Sequence, residues 1–207
     1  MLDVLAPSRC AGCGTSAARL CPRCIAEIAR RPLERSGVAV GRITALGPYD
    51  GALRRAILAL KYANAFAIGE TLGELLASRL AFAADVLVPV PLHVSRRRKR
   101  GYNQAEVLAQ GLLHGWRSDV CRPPRLVTDA LIRARATAPQ SGLGLAERLE
   151  NVSLAFRAGS EALEIADRRV LLVDDVLTTG ATLTACALAL HAAGAASVDA
   201  CCAAAKL

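Results

Sequence analysis

Apolar residues recur along this chain in two rhythms. Leu53, Ala56, Ile57 and Leu60 fall three and four apart, as do Ile68, Leu72, Leu75, Leu76 and Leu80, and each set predicts one amphipathic helix. The first follows a Pro48-Tyr49-Asp50-Gly51 turn and ends near Lys61 and Tyr62. Unbroken apolar runs predict buried strands instead: 85–91, stopped by its prolines, and 170–173, which runs into Asp174 and Asp175. Further extended segments are predicted at 38–46, 126–133 and 197–203, and helices at 103–113 and 182–193. The connection 30–36 is polar and contains a proline, 115–125 reads as irregular, 134–144 as a mobile loop and 145–151 as a short helical turn. Strands alternating with helices predict an α/β fold, a mainly parallel sheet with helices on both faces. Ligands of such sheets sit beyond the carboxyl ends of the strands. That is where Asp174 and Asp175 fall.

The residues after the acidic pair carry the most chemistry. Thr178-Thr179-Gly180-Ala181-Thr182 is a short hydroxylated turn that opens a helix. Its backbone N–H groups can converge on a phosphate, and the helix N-terminus adds partial positive charge. The carboxylates can accept hydrogen bonds from sugar hydroxyls, so the ligand class is a phosphorylated sugar. Neither G-x-G-x-x-G nor G-x-x-x-x-G-K-[ST] fits the stretch. A plainer reading stands beside this one: a Thr before a helix also serves as an N-cap, and an Asp also holds a turn.

Composition narrows the class further. The 207 residues suit one medium domain with a small appendage, and 53% apolar content with only 3% aromatics predicts an aliphatic, Ala-rich core. The net charge is +8, and Lys61, Lys99 and Lys206 are the only lysines among 26 basic residues. That balance favours polyanionic partners without choosing between phosphorylated metabolites, nucleic acid and an acidic membrane face. Asp3, Pro7 and Arg9 interrupt any secretory h-region, and no long uncharged span predicts membrane insertion. A cytoplasmic setting is expected, in which thiols stay reduced.

Four of the eight cysteines form two C-x-x-C knuckles, Cys10 with Cys13 and Cys21 with Cys24. Four thiolates so spaced can surround one structural Zn²⁺, and the segment is too short to bury a core of its own. Cys186, Cys201 and Cys202 read as small buried apolar residues, and nothing in the sequence accounts for Cys121.

The order of motifs supports a more specific statement. After the knuckles come Leu60-Lys61-Tyr62, then Val88-Pro89-Val90-Pro91-Leu92-His93, then Arg98-x-Arg100-Gly101-Tyr102-Asn103-Gln104. Gln140, Arg148 and Asn151 follow, and then the Asp174-to-Thr182 block. That block resembles the phosphoribosyl-pyrophosphate (PRPP) signature of type I phosphoribosyltransferases. The whole chain resembles the ComF family, also called ComFC or GntX-like proteins. The resemblance implies a zinc ribbon over residues 1–36 and a phosphoribosyltransferase-like, PRPP-binding domain over 37–207. It places Asp174 and Asp175 on the ribose as the catalytic pair, and Thr178, Thr179, Gly180, Ala181 and Thr182 around the 5′-phosphate. Lys61, Arg98 and Arg100 join the PRPP-binding set, with Mg²⁺ accompanying the pyrophosphate. Gln140 and Arg148 would lie in a loop that closes over PRPP; Asn151 could equally cap a turn. Two departures from the family pattern are Leu177, where relatives often carry an aromatic, and Tyr102, where Phe is common.

The resemblance also implies a role in DNA uptake during natural transformation, with single-stranded DNA and DNA-uptake proteins as partners. The basic run 96–100 could meet pyrophosphate or nucleic-acid phosphates, or simply form a solvated loop. Lys61 could serve the ligand or the helix dipole, and His93 could donate to a phosphate or cap a turn. Trp116, Tyr102, Tyr62 and Tyr49 are the candidate stacking platforms for a single strand, with Tyr102 best placed by sequence. Two functions remain open on the sequence. One is a PRPP-binding DNA-uptake factor; the other is an active phosphoribosyltransferase acting on a nucleobase or another acceptor.

Overall fold

A computed structural model describes residues 9–16, 19–63, 65–80, 83–117, 122–134 and 155–206. Its main sheet has six strands in the order β1 (Leu33–Arg35), β2 (Ile43–Ala45), β8 (Ser197–Ala205), β7 (Arg169–Leu177), β3 (Val86–Pro89) and β4 (Arg125–Leu126). All neighbours are parallel except β1, which pairs antiparallel with β2. Central β7 and β8 consist of apolar and small residues along most of their length, as strands covered on both faces require. β1 lies in the polar connection 30–36: one half-buried and two exposed residues at a sheet edge leave no apolar signature.

Alternation along β7 sends Leu171 and Val173 into one core and Val170 and Leu172 into the other. The first core is built with α2 (Gly51–Tyr62), α3 (Phe66–Ala77) and α5 (Gln104–His114). The second lies under α6 (Ala181–Ala192) and a separate hairpin of β5 (Leu131–Arg133) with β6 (Phe156–Ala158). Helices α3 and α5 meet at backbone distance. A Cβ added at Gly73 would stand 2.2 Å from the Leu108 carbonyl, and one at Gly111 would stand 2.2 Å from that of Glu70. Only glycine permits this approach.

The cysteine knuckles lead into α1 (Pro22–Ala29), a helix that the spacing of the cysteines does not announce. Cys10, Leu20, Cys24 and Ile28 join the same core as α2 and α3. Glu27 Oε1 accepts from the N–H of Ala52 at 3.0 Å, and Arg55 Nε donates to the Gly12 carbonyl, so the segment is fastened to α2.

The basic run is helical: α4 (Val94–Arg100) has seven residues and ends at Gly101, whose φ of 79° suits a left-handed cap. A solvated loop is therefore replaced by a solvated helix, capped by His93, whose Nδ1 accepts from Ser95 N at 3.3 Å. No described helix is long and apolar enough to cross a membrane. The expected loop and turn at 134–151, with Gln140, Arg148 and Asn151, fall outside the described residues apart from Ala134.

Candidate functional site

Strand β7 continues through the acidic pair to Leu177, so Asp174 and Asp175 are strand residues and alternation aims them apart. Asp175 turns toward α2, where Lys61 Nζ lies 3.0 Å from Oδ1 with both side chains largely buried, at 17% and 15% exposure. Asp174 Oδ1 accepts the backbone N–H of Asp175 at 2.8 Å. Its carboxyl is pushed up to about 7, first by burial and next by the charge of Asp175, with Lys61 and Arg133 pulling the other way. The two neighbours thus occupy different electrostatic settings: one paired with a lysine, the other inclined to keep its proton near neutrality.

The turn after β7 is open. Thr178 and Thr179 are exposed, and Gly180 takes a φ of 81°, which an L side chain avoids. The first N–H groups of α6 have no acceptor within the helix. That of Ala181 meets the Thr179 hydroxyl at 3.5 Å, and Thr182 is half-buried in the same turn. Leu177 is buried beneath the loop rather than presented to a ligand, with its Cδ1 3.8 Å from where a Cβ on Gly180 would stand.

The Arg100-to-Gln104 block divides between surface and interior. Tyr102 is 8% exposed, stacks on Phe66 with ring centroids 4.2 Å apart, and donates its hydroxyl to the Leu60 carbonyl. It is therefore not a stacking platform, despite its place beside the basic run. Asn103 is buried and caps α5, accepting from Ala105 N at 3.1 Å while its Nδ2 donates to Val90 O at 3.0 Å. Gln104 is buried and its Oε1 accepts from Arg100 Nη1 at 2.7 Å. These three side chains brace the ends of α2 and β3 against the start of α5. Arg100 stays half-exposed, 5.6 Å from the ring centroid of Tyr62, which is itself 72% exposed beside Lys61. Tyr62, not Tyr102, is the aromatic face offered to solvent here; Tyr49 and Trp116 are half-buried. Arg97 lies 3.4 Å from Glu106, while Arg98 is exposed and makes no side-chain pair among the described residues.

Arg133 is a site residue that the sequence pattern does not reveal. It ends β5, lies 5.2 Å from the Phe156 ring centroid, and its charge is felt at Asp174. Arg96 of α4 acts on it in turn. Within 126–133 an arginine at the end of an apolar run reads as a strand boundary, and only the hairpin brings it to β7.

The second cluster is cysteine. The sulfurs of Cys10, Cys13, Cys21 and Cys24 all lie within 4.8 Å of one another, a set that could hold one metal ion. Cys13 Sγ and Cys21 Sγ are 3.7 Å apart. That is about the edge, ~3.8 Å, of a tetrahedron with metal–sulfur bonds of ~2.3 Å. Hydrogen bonds from Thr15 lower the Cys13 thiol to about 6, and backbone N–H groups lower Cys10 against its burial. Burial and the other three thiols raise Cys24. Gly12 is required, since a Cβ there would lie 2.6 Å from Cys24 Sγ. Cys186, Cys201 and Cys202 are buried in the two cores, with thiols raised by burial.

Comparison with known proteins places this geometry. A family model described as the phosphoribosyl transferase domain matches residues 68–207. Competence protein F of Haemophilus influenzae is 36% identical over 150 residues, covering 69% of this chain and 63% of that protein's length. DNA utilization protein YhgH of Escherichia coli K12 is 34% identical over 173 residues, covering 78% and 70%. YhgH of Salmonella typhimurium is 30% identical over 210 residues, covering 94% and 83%.

Proposed function

The chain belongs to the ComF family of phosphoribosyl transferase domain proteins, and from that membership we propose that it binds PRPP at the end of β7 and serves cytoplasmic DNA uptake. The observation that carries the reading is the junction of the Lys61–Asp175 pair, Asp174 and the open Thr178-to-Thr182 turn on one strand end. Free helix N–H groups and the threonine hydroxyls hold the 5′-phosphate. Asp175 accepts from ribose hydroxyls while Lys61 holds it in place. Asp174, retaining a proton near neutrality, can donate to a ligand oxygen as well as accept. Mg²⁺, carried mainly by the pyrophosphate, neutralises its charge. Arg98, Arg100 and Arg133 complete a basic surround. The four cysteines hold Zn²⁺, whose closed thiolate shell leaves it a structural role.

Single-stranded DNA meets the same face through the guanidinium groups of α4, with a base stacked on Tyr62. The exposed ring beside Lys61 favours a second reading, phosphoribosyl transfer to an acceptor base stacked there. Pyrophosphate release that requires an added base separates transfer from binding alone. Calorimetry tests the shared premise. PRPP with Mg²⁺ binds the native protein, and Asp175→Asn weakens it roughly ten- to over a hundred-fold, as loss of a charged hydrogen bond of about 1.5–3 kcal/mol requires. Equal affinity in native protein and an Asp174→Asn, Asp175→Asn double variant refutes the site.

A further inference from the structure

A second basic site lies at the other end of the sheet. Where β3, β4 and β7 begin, a cleft of about 390 Å³ is lined by Asp85, Arg122, Arg125, Glu164, Arg168 and Arg169 among others. Arg169 stands five residues before Asp174 on β7, about 17 Å at strand rise, so the cleft is separate from the carboxylate site.

Its charges do not balance. Arg169 holds both oxygens of Asp85, Nη2 to Oδ1 at 2.7 Å and Nε to Oδ2 at 3.0 Å, and its backbone N–H adds a third bond at 2.9 Å. This keeps the Asp85 carboxyl low, at about 2. Arg125 holds Glu164 at 2.6 Å. Both acids are thus committed to partners within the wall. Arg122 and Arg168 are exposed and make no side-chain ion pair among the described residues, although the Arg168 charge reaches Asp85. Two guanidinium groups without an acidic partner among the described residues of one cleft match a dianion. A phosphate monoester carries about −1.5 to −2 near neutral pH, and guanidinium forks fit its oxygens in pairs.

We propose that this cleft is a binding site for a phosphoryl group, with Arg122 and Arg168 as its ligands and the Asp85–Arg169 and Arg125–Glu164 pairs as its frame. The group can come from a free phosphorylated molecule or from the backbone of a single strand.

Inorganic phosphate is the first probe, followed by amide NMR of the full chain. Saturable shifts are expected at Asp85, Val86 and Arg169, weakened at least about tenfold in Arg122→Gln, Arg168→Gln, the loss expected of charge-assisted bonds. These side chains are exposed and make no ion pair among the described residues, so the variant is expected to keep its fold, which its melting temperature verifies. A ten-thymidine strand is the second probe. Shifts at the same amides that vanish in the variant assign the phosphoryl group to nucleic acid. A phosphate response without a strand response assigns it to a small molecule. The Asp174→Asn, Asp175→Asn variant removes the PRPP site and must leave the cleft's response intact, so failure of either site is read separately. No saturable shift in native protein, or an undiminished one in the arginine variant, overturns the proposal.

Discussion

Replacing Asp174 with asparagine should stabilise the protein, and increasingly so as pH rises from the carboxyl's ordinary value to its raised one. The folded structure raises this acid from 3.8 to about 7, chiefly through burial and the neighbouring Asp175. An acid whose folded value is raised binds more protons folded than unfolded in that interval. Its favourable contribution is therefore present below the unfolded value and lost as pH rises through the folded one. At about 1.4 kcal/mol per pH unit, a difference of roughly three units corresponds to at most about 4 kcal/mol lost above pH 7. The carboxyl is not wholly screened from solvent and water relaxes part of the penalty, so on the order of 2–4 kcal/mol is expected. Asparagine carries no charge to desolvate and can still accept the Asp175 N–H. Urea unfolding at pH 5 and pH 8.5 measures the gain, which should grow by roughly 1–3 kcal/mol between them. For a chain of this size each kcal/mol moves Tm by about 2–4 °C. A variant no more stable than native protein at pH 8.5, or a gain that ignores pH, would refute the assignment of burial and Asp175 as the cause. The same substitution should impair PRPP binding, the usual trade between a functional charge and stability.

Four other outcomes follow from the geometry. Cys10→Ser, Cys13→Ser should lose one equivalent of zinc by elemental analysis and should melt at lower temperature, because Cys10 and Cys24 belong to the core shared with α2; zinc-free native protein, purified under reducing conditions, would reject the metal assignment. Lys61→Met should leave Asp175 without its partner and so weaken PRPP binding, as calorimetry would record; unchanged affinity would separate the lysine from the site. In fluorescence anisotropy, Tyr62→Ala should weaken single-stranded DNA by about 1–3 kcal/mol per base unstacked. Changing Arg96, Arg97 and Arg98 to Ala should flatten the salt slope by up to about 2; unchanged affinity and slope in both variants would remove α4 and Tyr62 from the DNA face.

Much of the fold is written in local pattern. The periodic helices α2, α3 and α5 and the apolar strands β3, β7 and β8 lie within a few residues of where hydropathy puts them, because each buries a continuous face. What pattern misses depends on contacts distant in sequence. β1 is three residues held by pairing with β2 and by Leu33 against the second core, and α1 depends on docking against α2. Tyr102 looks like a surface ring next to five basic residues, yet Leu60 and Phe66, each more than thirty positions earlier, bury it. Arg133 reaches Asp174 only because β5 returns through a hairpin. Conversely, the acidic pair is legible as a unit while its division into a lysine-paired and a proton-retaining member is not, since Lys61 stands more than a hundred residues away.

Helix α2 is anchored at both ends by different chemistry. Its first turn accepts the clasp of Glu27 on Ala52, and its last turn carries Lys61 onto Asp175. Twelve residues make a rod of about 18 Å between the two contacts. The clasp of the cysteine segment and the partner of the acid are thus two ends of one helix, so the cysteine knuckles and the end of β7 share a single support.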